Sequence, residues 1–198
     1  MLVAIDVDST LHDYWGQFRA AAIELHGVDL PYEQQTDWTV DRLTRTQLAD
    51  VIQRTHDDER IAQATPYPDA ADIINGWRRA GHFVLITTHR RPDAHDATAD
   101  WLSTHRIGFD LLRCGYQKVD HCQQVGADVL IDDSPTNLLH ALAAGMTPAT
   151  LRHPWNATVT AEHPAIIAGD DWNALALALA TELPRLDLRH DIAPRSTP

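Results

Sequence analysis

Three short apolar runs in this chain stop abruptly at pairs of polar side chains. "LVAI" runs into Asp6 and Asp8, "FVLI" into Thr87 and Thr88, and "DVLI" into Asp132 and Asp133. Short apolar runs bounded in this way read as buried strands. Residues 109–114 ("FDLLRC") and 148–153 ("PATLRH") are weaker strand candidates. Helical spacing fills the gaps between them. It covers 69–80, with Ala70, Ile73, Ile74 and Trp77 on one face, then 92–105, 135–144 and 171–183. Gly81, Gly145 and Pro184 stand where three of these helices should stop. Strands alternating with helices predict an α/β fold: a Rossmann-like, mostly parallel sheet with helices on both faces.

Residues 14–67 break this rhythm. They hold helical patterns over 15–26 and roughly 40–56, but no buried strand. A stretch that long between consecutive core strands is too large for a loop. It reads as an inserted helical cap, leaving 1–13 and 68–183 as the catalytic core. The polar, proline-bearing tail 184–198 is expected to be loosely ordered. Trp101 and Trp172 sit at helical positions and are expected in the core. "DDER" (57–60) reads as a solvated face.

In an open parallel sheet, ligands bind beyond the carboxyl ends of the strands. Neighbouring strands would therefore bring four aspartates and two threonines to one place. Such a cluster needs a cation, and hard oxygen ligands suit Mg²⁺, which is held by one or two carboxylates plus a ligand phosphate. Asp6, at the strand terminus, can attack phosphorus to form an aspartyl-phosphate. Asp8 can move protons to the leaving oxygen and from water. Hydroxyls, a lysine and the metal can stabilise the charge of the transition state.

Composition sharpens this reading at one residue. The chain has fifteen arginines and a single lysine, Lys118, between the threonine strand and the second acid pair. A compact ammonium can touch a carboxylate and a phosphate together where a planar guanidinium would not fit. The formal net charge of -12 argues against a nucleic-acid polymer as partner, because phosphate backbones demand clustered cations. No apolar run is long enough to span a membrane, and the first residues have no signal-peptide pattern. Cys114 and Cys122 make neither a zinc motif nor a disulfide framework, and read as free thiols in a reducing cytoplasm.

These residues, in this order, resemble the haloacid-dehalogenase (HAD)-like phosphatase superfamily. "IDVDSTL" is similar to its DxDx(T/V) first motif, "VLITT" to its second, Lys118 to its third and "VLIDD" to its fourth. The resemblance implies Asp6 as nucleophile, Asp8 as general acid/base, and Thr87 and Lys118 on the phosphate. It implies Mg²⁺ held by Asp6, the backbone carbonyl of Asp8, and Asp132, with Asp133 alongside. Within the superfamily the chain is similar to the 5'(3')-deoxyribonucleotidases. "DVDSTLHDY" resembles their DMDGVLADF run, and "LIDDSPTNL" their IDDRPxNI. "RHPWN" followed by "DDW" resembles the C-terminal signature of bacterial members.

This finer resemblance implies a nucleoside monophosphate as the small phosphate-ester substrate. Tyr14 and Trp38 would then line the base pocket, with Thr88 and His89 also at the substrate. A homodimer is compatible with it. Ser9 and Thr10 depart from the family's Gly-Val, Ser134 departs from its frequent Arg, and the cap between 40 and 65 does not align. The catalytic core is intact, so these departures bear on the substrate. Another sugar phosphate or biosynthetic intermediate is the alternative, followed by a catalytically silent phosphate-binding module. A receiver domain is disfavoured, because it has no cap and carries its Thr and Lys after the phosphorylated Asp.

Overall fold

The computed structural model describes residues 1–37 and 39–186. Its centre is one six-stranded, all-parallel sheet in the order β3-β2-β1-β4-β5-β6. The strands are β1 (Leu2–Ile5), β2 (Phe83–Thr88), β3 (Leu111–Cys114), β4 (Val129–Ile131), β5 (Thr147–Leu151) and β6 (Ile167–Gly169). The five strands read from the sequence are all present. β6 was not predicted, because three residues ending in glycine carry almost no apolar run. Gly169 is required there: a Cβ would lie 2.3 Å from the backbone nitrogen of Leu175 in the helix packed over it.

The strands alternate cleanly between the two faces of the sheet, as their two-residue period requires. Val3 and Ile5 of β1 register with Val84 and Ile86 of β2 and with Val129 and Ile131 of β4. These six side chains share one core with Ile74 and Trp77 of α4 (Ala70–Arg79), Trp101 of α5 (His95–Thr104) and Trp172 and Leu175 of α9 (Trp172–Glu182). Ala4, Leu85 and Leu130 point the other way. They pack on Val119 and Cys122 of α6 (Lys118–Gln124) and Ala141 of α7 (Pro135–Ala143). Buried on both faces, the central strands have to be continuously apolar. That is why they were legible in the sequence.

Residues 14–67 hold α1 (Tyr14–His26), α2 (Arg45–Thr55) and α3 (Asp58–Gln63). α2 starts later than its apolar pattern suggested, because a Thr44–Gln47 capping box fixes its first turn. α1, α2 and the loops beside them bury a cluster of their own, including Trp15, Phe18, Leu30, Leu43 and Val51, which Trp155 from beyond β5 joins, whereas Ile61 of α3 packs into the main core. Past β5 comes the short α8 (Ala157–Glu162), which was not anticipated. The polar tail begins with a tight turn, Pro184–Leu186, with Leu186 buried and its carbonyl accepting from Trp77 Nε1 at 3.2 Å. Among the described residues no helix is long and apolar enough to cross a membrane. Cys114 and Cys122 are free.

Candidate active site

The strand order reverses between β1 and β4, which makes that gap the crevice where ligands bind in open sheets of this kind. Each strand carries its acids one step past its last paired residue. Asp6 N donates to Ile131 O at 2.9 Å and Asp132 N to Ala149 O at 3.0 Å, so both backbones are still held by the sheet. Lys118, the first residue of α6, reaches both side chains. Its Nζ lies 2.7 Å from Asp6 Oδ1 and 2.7 Å from Asp132 Oδ2. All three are buried.

Asp6, Asp132 and Asp133 each offer a carboxylate oxygen within 4.8 Å of the others, an arrangement that could hold a metal ion. Asp132 is the most tightly fixed. It also accepts from Ser134 N at 2.9 Å and Asn137 Nδ2 at 3.1 Å. Asp133 accepts from Trp155 Nε1 at 3.1 Å. One ammonium among three buried carboxylates leaves the group under-compensated. Burial pushes the Asp6 carboxyl up to about 7, against the pull of Lys118, with Asp132 and Asp8 adding to the rise. Burial, with Asp132 and Asp6, holds Asp133 well above the usual carboxylate range. A cation bound here would supply the missing positive charge.

Asp8 stands apart. Its carboxylate accepts from Arg90 Nη2 at 2.7 Å and Nε at 3.1 Å, and lies 2.9 Å from His12 Nε2. Thr88 Oγ1 donates to it at 3.4 Å and also accepts from Arg90 N at 3.3 Å. Burial opposes its ionisation, but the Arg90 guanidinium and His12 win and hold the carboxyl well below its ordinary value. Arg90 itself is buried, its Nη1 donating to Thr98 Oγ1 at 3.1 Å. The expected gathering of four carboxylates is therefore a group of three, beside a fourth with its own cation. Arg91, by contrast, is exposed and paired with Asp93 at 2.7 Å.

Thr87 is buried, and its hydroxyl has no hydrogen-bond partner among the described residues. Such a group ordinarily finds a partner, so an acceptor such as a phosphate oxygen would satisfy it. The turn after Asp8 is set by Ser9, whose φ of 56° lies in the left-handed region that favours glycine. The family's glycine at this position fits that geometry. His153 Nε2 donates to the Ser9 carbonyl at 2.8 Å and stacks on Trp155 with ring centroids 4.4 Å apart. Asn156 donates to the carbonyls of Asp133 and Leu151. The "HPWN" run thus braces both acid motifs from beneath.

The remaining substrate candidates are scattered. Tyr14 is half-buried, bonded through its hydroxyl to Thr55 Oγ1 at 3.0 Å, with its ring beside His12 and His56. His89 is exposed, and its ring lies over Tyr116. Trp38 lies outside the described residues. Sequence reasoning gave no role to His12, although it follows Asp8 by one helical turn's spacing. Nor did it show that Arg90 turns inward to pair with Asp8. It held Asn137 and Trp155 inside family-like runs without showing their hydrogen bonds to Asp132 and Asp133.

The family model described as 5' nucleotidase, deoxy (pyrimidine), cytosolic type C protein (NT5C) matches residues 1–172. The chain belongs to this family. It is accordingly a phosphoric monoester hydrolase of the nucleotidase type, on a HAD-like fold. A Chlorobaculum tepidum protein named as a candidate 5'(3')-deoxyribonucleotidase is 26% identical over 157 residues, 74% of this chain and 76% of that one. Among solved structures, the chain is similar to a HAD family hydrolase of Deinococcus radiodurans R1 with bound phosphate and sodium. The TM-score is 0.66 at 18% identity, covering 91% of this chain and 95% of the other. It is also similar to D,D-heptose 1,7-bisphosphate phosphatase of Burkholderia thailandensis, with a TM-score of 0.54 at 14% identity, covering 92% and 98%. These two likenesses concern the fold.

Proposed function

We propose that this nucleotidase is a Mg²⁺-dependent 5'(3')-deoxyribonucleotidase that works through an aspartyl-phosphate on Asp6. The observation that carries the proposal is the group of three buried carboxylates, two of them paired with Lys118, beside the Thr87 hydroxyl, which has no partner among the described residues. It is a cation-demanding, oxygen-only ligand set next to an open hydrogen-bond donor. Asp6, Asp132 and Asp133, with the Asp8 carbonyl, would hold the metal. Mg²⁺ would supply charge neutralisation for the phosphoryl oxygens.

In the first step a carboxylate oxygen of Asp6 forms a bond to phosphorus as the bond to the nucleoside oxygen breaks. Asp8 delivers a proton to that leaving oxygen. In the second step Asp8 takes a proton from water, whose oxygen attacks phosphorus and frees Asp6 and inorganic phosphate. The Arg90 fork favours the ionised form of Asp8, so its first task requires a proton, which a phosphate monoester binding as its monoanion would bring and pass to Asp8. Lys118 holds Asp6 by its Oδ1 oxygen and is placed to meet a phosphoryl oxygen, and Thr87 donates to another. Residues 14–67 act as a cap over this edge, with Tyr14 and Thr88 flanking Asp8 on the substrate side. The free thiols fit a cytoplasmic setting.

A panel of 5'- and 3'-deoxynucleoside monophosphates, ribonucleotides, sugar phosphates and phosphoserine tests the reading. The expected outcome is highest kcat/KM on deoxynucleoside monophosphates. A preference for a sugar phosphate would reassign the substrate to another small ester. No turnover of any ester would leave a phosphate-binding module.

A further inference from the structure

Outside the acid cluster, a groove of about 710 Å³ lies between α2 and the segments that follow β2 and β3 and has no task so far. That size is ordinary for a small-molecule site. One wall carries Ala49, Ile52 and His56 of the insert, and the other Arg91, Ala94 and Tyr116. The groove leads to the chemistry, because His56 Nε2 is 4.0 Å from Asp8 Oδ2.

Tyr116 is the unexpected element. It is 74% exposed, more than any other large apolar side chain among the described residues. Its ring lies over that of His89, with centroids 6.3 Å apart and planes 30° from parallel. Both rings grow from the phosphate-handling segments. His89 directly follows Thr88, and Tyr116 stands two residues before Lys118, at most about 7 Å of chain away. A molecule whose phosphate met Lys118 and the threonines would extend its other end across this pair.

The charges around the groove say what that end is. Arg91 is committed to Asp93 at 2.7 Å, and Asp57 to Arg54 at 3.0 Å. Asp58 adds a further carboxylate to the lining. A second phosphate or a carboxylate would meet acids here, whereas a neutral planar ring would meet the exposed Tyr116 and Ile52, both in the lining.

We infer that Tyr116, backed by His89, is the stacking platform for the nucleobase of a nucleoside monophosphate, and so a specificity-determining residue of this enzyme. The inference rests on the nucleotidase reading above and moves the base away from Tyr14, whose hydroxyl and ring are engaged within the insert.

The test is the ratio of kcat/KM for a 2'-deoxynucleoside 5'-monophosphate to that for 2-deoxyribose 5-phosphate, which has the same phosphate and sugar but no base. It is measured in wild type, Tyr116→Ala and Tyr116→Phe. Tyr116→Ala should lower the ratio about tenfold, as expected for one lost base stack. Tyr116→Phe should keep it near wild type. An unchanged ratio in Tyr116→Ala, or an equal fall in Tyr116→Phe, overturns the platform and leaves the nucleotidase reading standing. A wild-type ratio near one overturns the nucleotidase reading itself, and the base site with it.

Discussion

The two flanks of β1 solve the same electrostatic problem in opposite ways. On the β2 side a single carboxylate, Asp8, meets a buried guanidinium and a histidine. Nothing there calls for another charge. On the β4 side three carboxylates stand together with one ammonium, which pairs with Asp6 and Asp132 and leaves Asp133 without an ion-pair partner among the described residues. Burying charge without full compensation costs several kcal/mol per ion, and a fold keeps such a group where a ligand completes it. The difference separates a closed polar cluster, which positions a side chain, from an open one, which could hold a cation. Two aspartates one residue apart in the sequence therefore live in unlike environments. Asp6 is pushed up to about 7, while Asp8 is held well below its ordinary value.

Substitutions on each flank should have opposite signs. Arg90→Met removes the cation from the compensated side and leaves Asp8 with His12 alone. It should destabilise the protein by about 2–4 kcal/mol, somewhat below the usual cost of orphaning a fully buried charge, because Asp8 is partly exposed. Denaturant unfolding would show it, and a loss under about 1 kcal/mol would mean that the fork is ornamental. Asp133→Asn removes one charge from the under-compensated side and keeps an oxygen for Trp155. In EDTA it should raise stability by about 0.5–2 kcal/mol, the usual gain on relaxing a functional site. The same variant should need more metal to reach half-maximal activity. Destabilisation in EDTA would break the contrast, because it would mean that Asp133 is already compensated.

The β4 flank was the more legible of the two. Its acids terminate an apolar run, and its cation is the only lysine, so chain order and composition both pointed at it. The same apolar continuity made the central strands readable, because both of their faces are buried. The β2 flank was hidden by ordinary-looking residues. Arg90 is one of fifteen arginines and lies beside Arg91, which is exposed. Only the turn after β2 decides which of the two turns inward to Asp8. His12 gave no signal, and Asn137 stood inside the "LIDDSPTNL" run without showing that its amide would hold Asp132. The "HPWN" brace had a sequence signature but no visible reason. That reason is a set of contacts to the backbones of Ser9 and Asp133, which no side-chain pattern records. β6 and α8 were short enough that packing, rather than periodicity, determines them.

The central claim is that the β4-side carboxylates work with a divalent cation to turn Asp6 into a nucleophile. The most direct test is turnover of a deoxynucleoside 5'-monophosphate by EDTA-treated protein as Mg²⁺ is added back, in wild type and in Asp6→Asn. The account expects no turnover in EDTA and recovery with Mg²⁺ in wild type. Asp6→Asn should stay lower by on the order of a thousandfold or more at every Mg²⁺ concentration. Wild-type activity that persists in EDTA, or an Asp6→Asn variant that recovers with Mg²⁺, would contradict it.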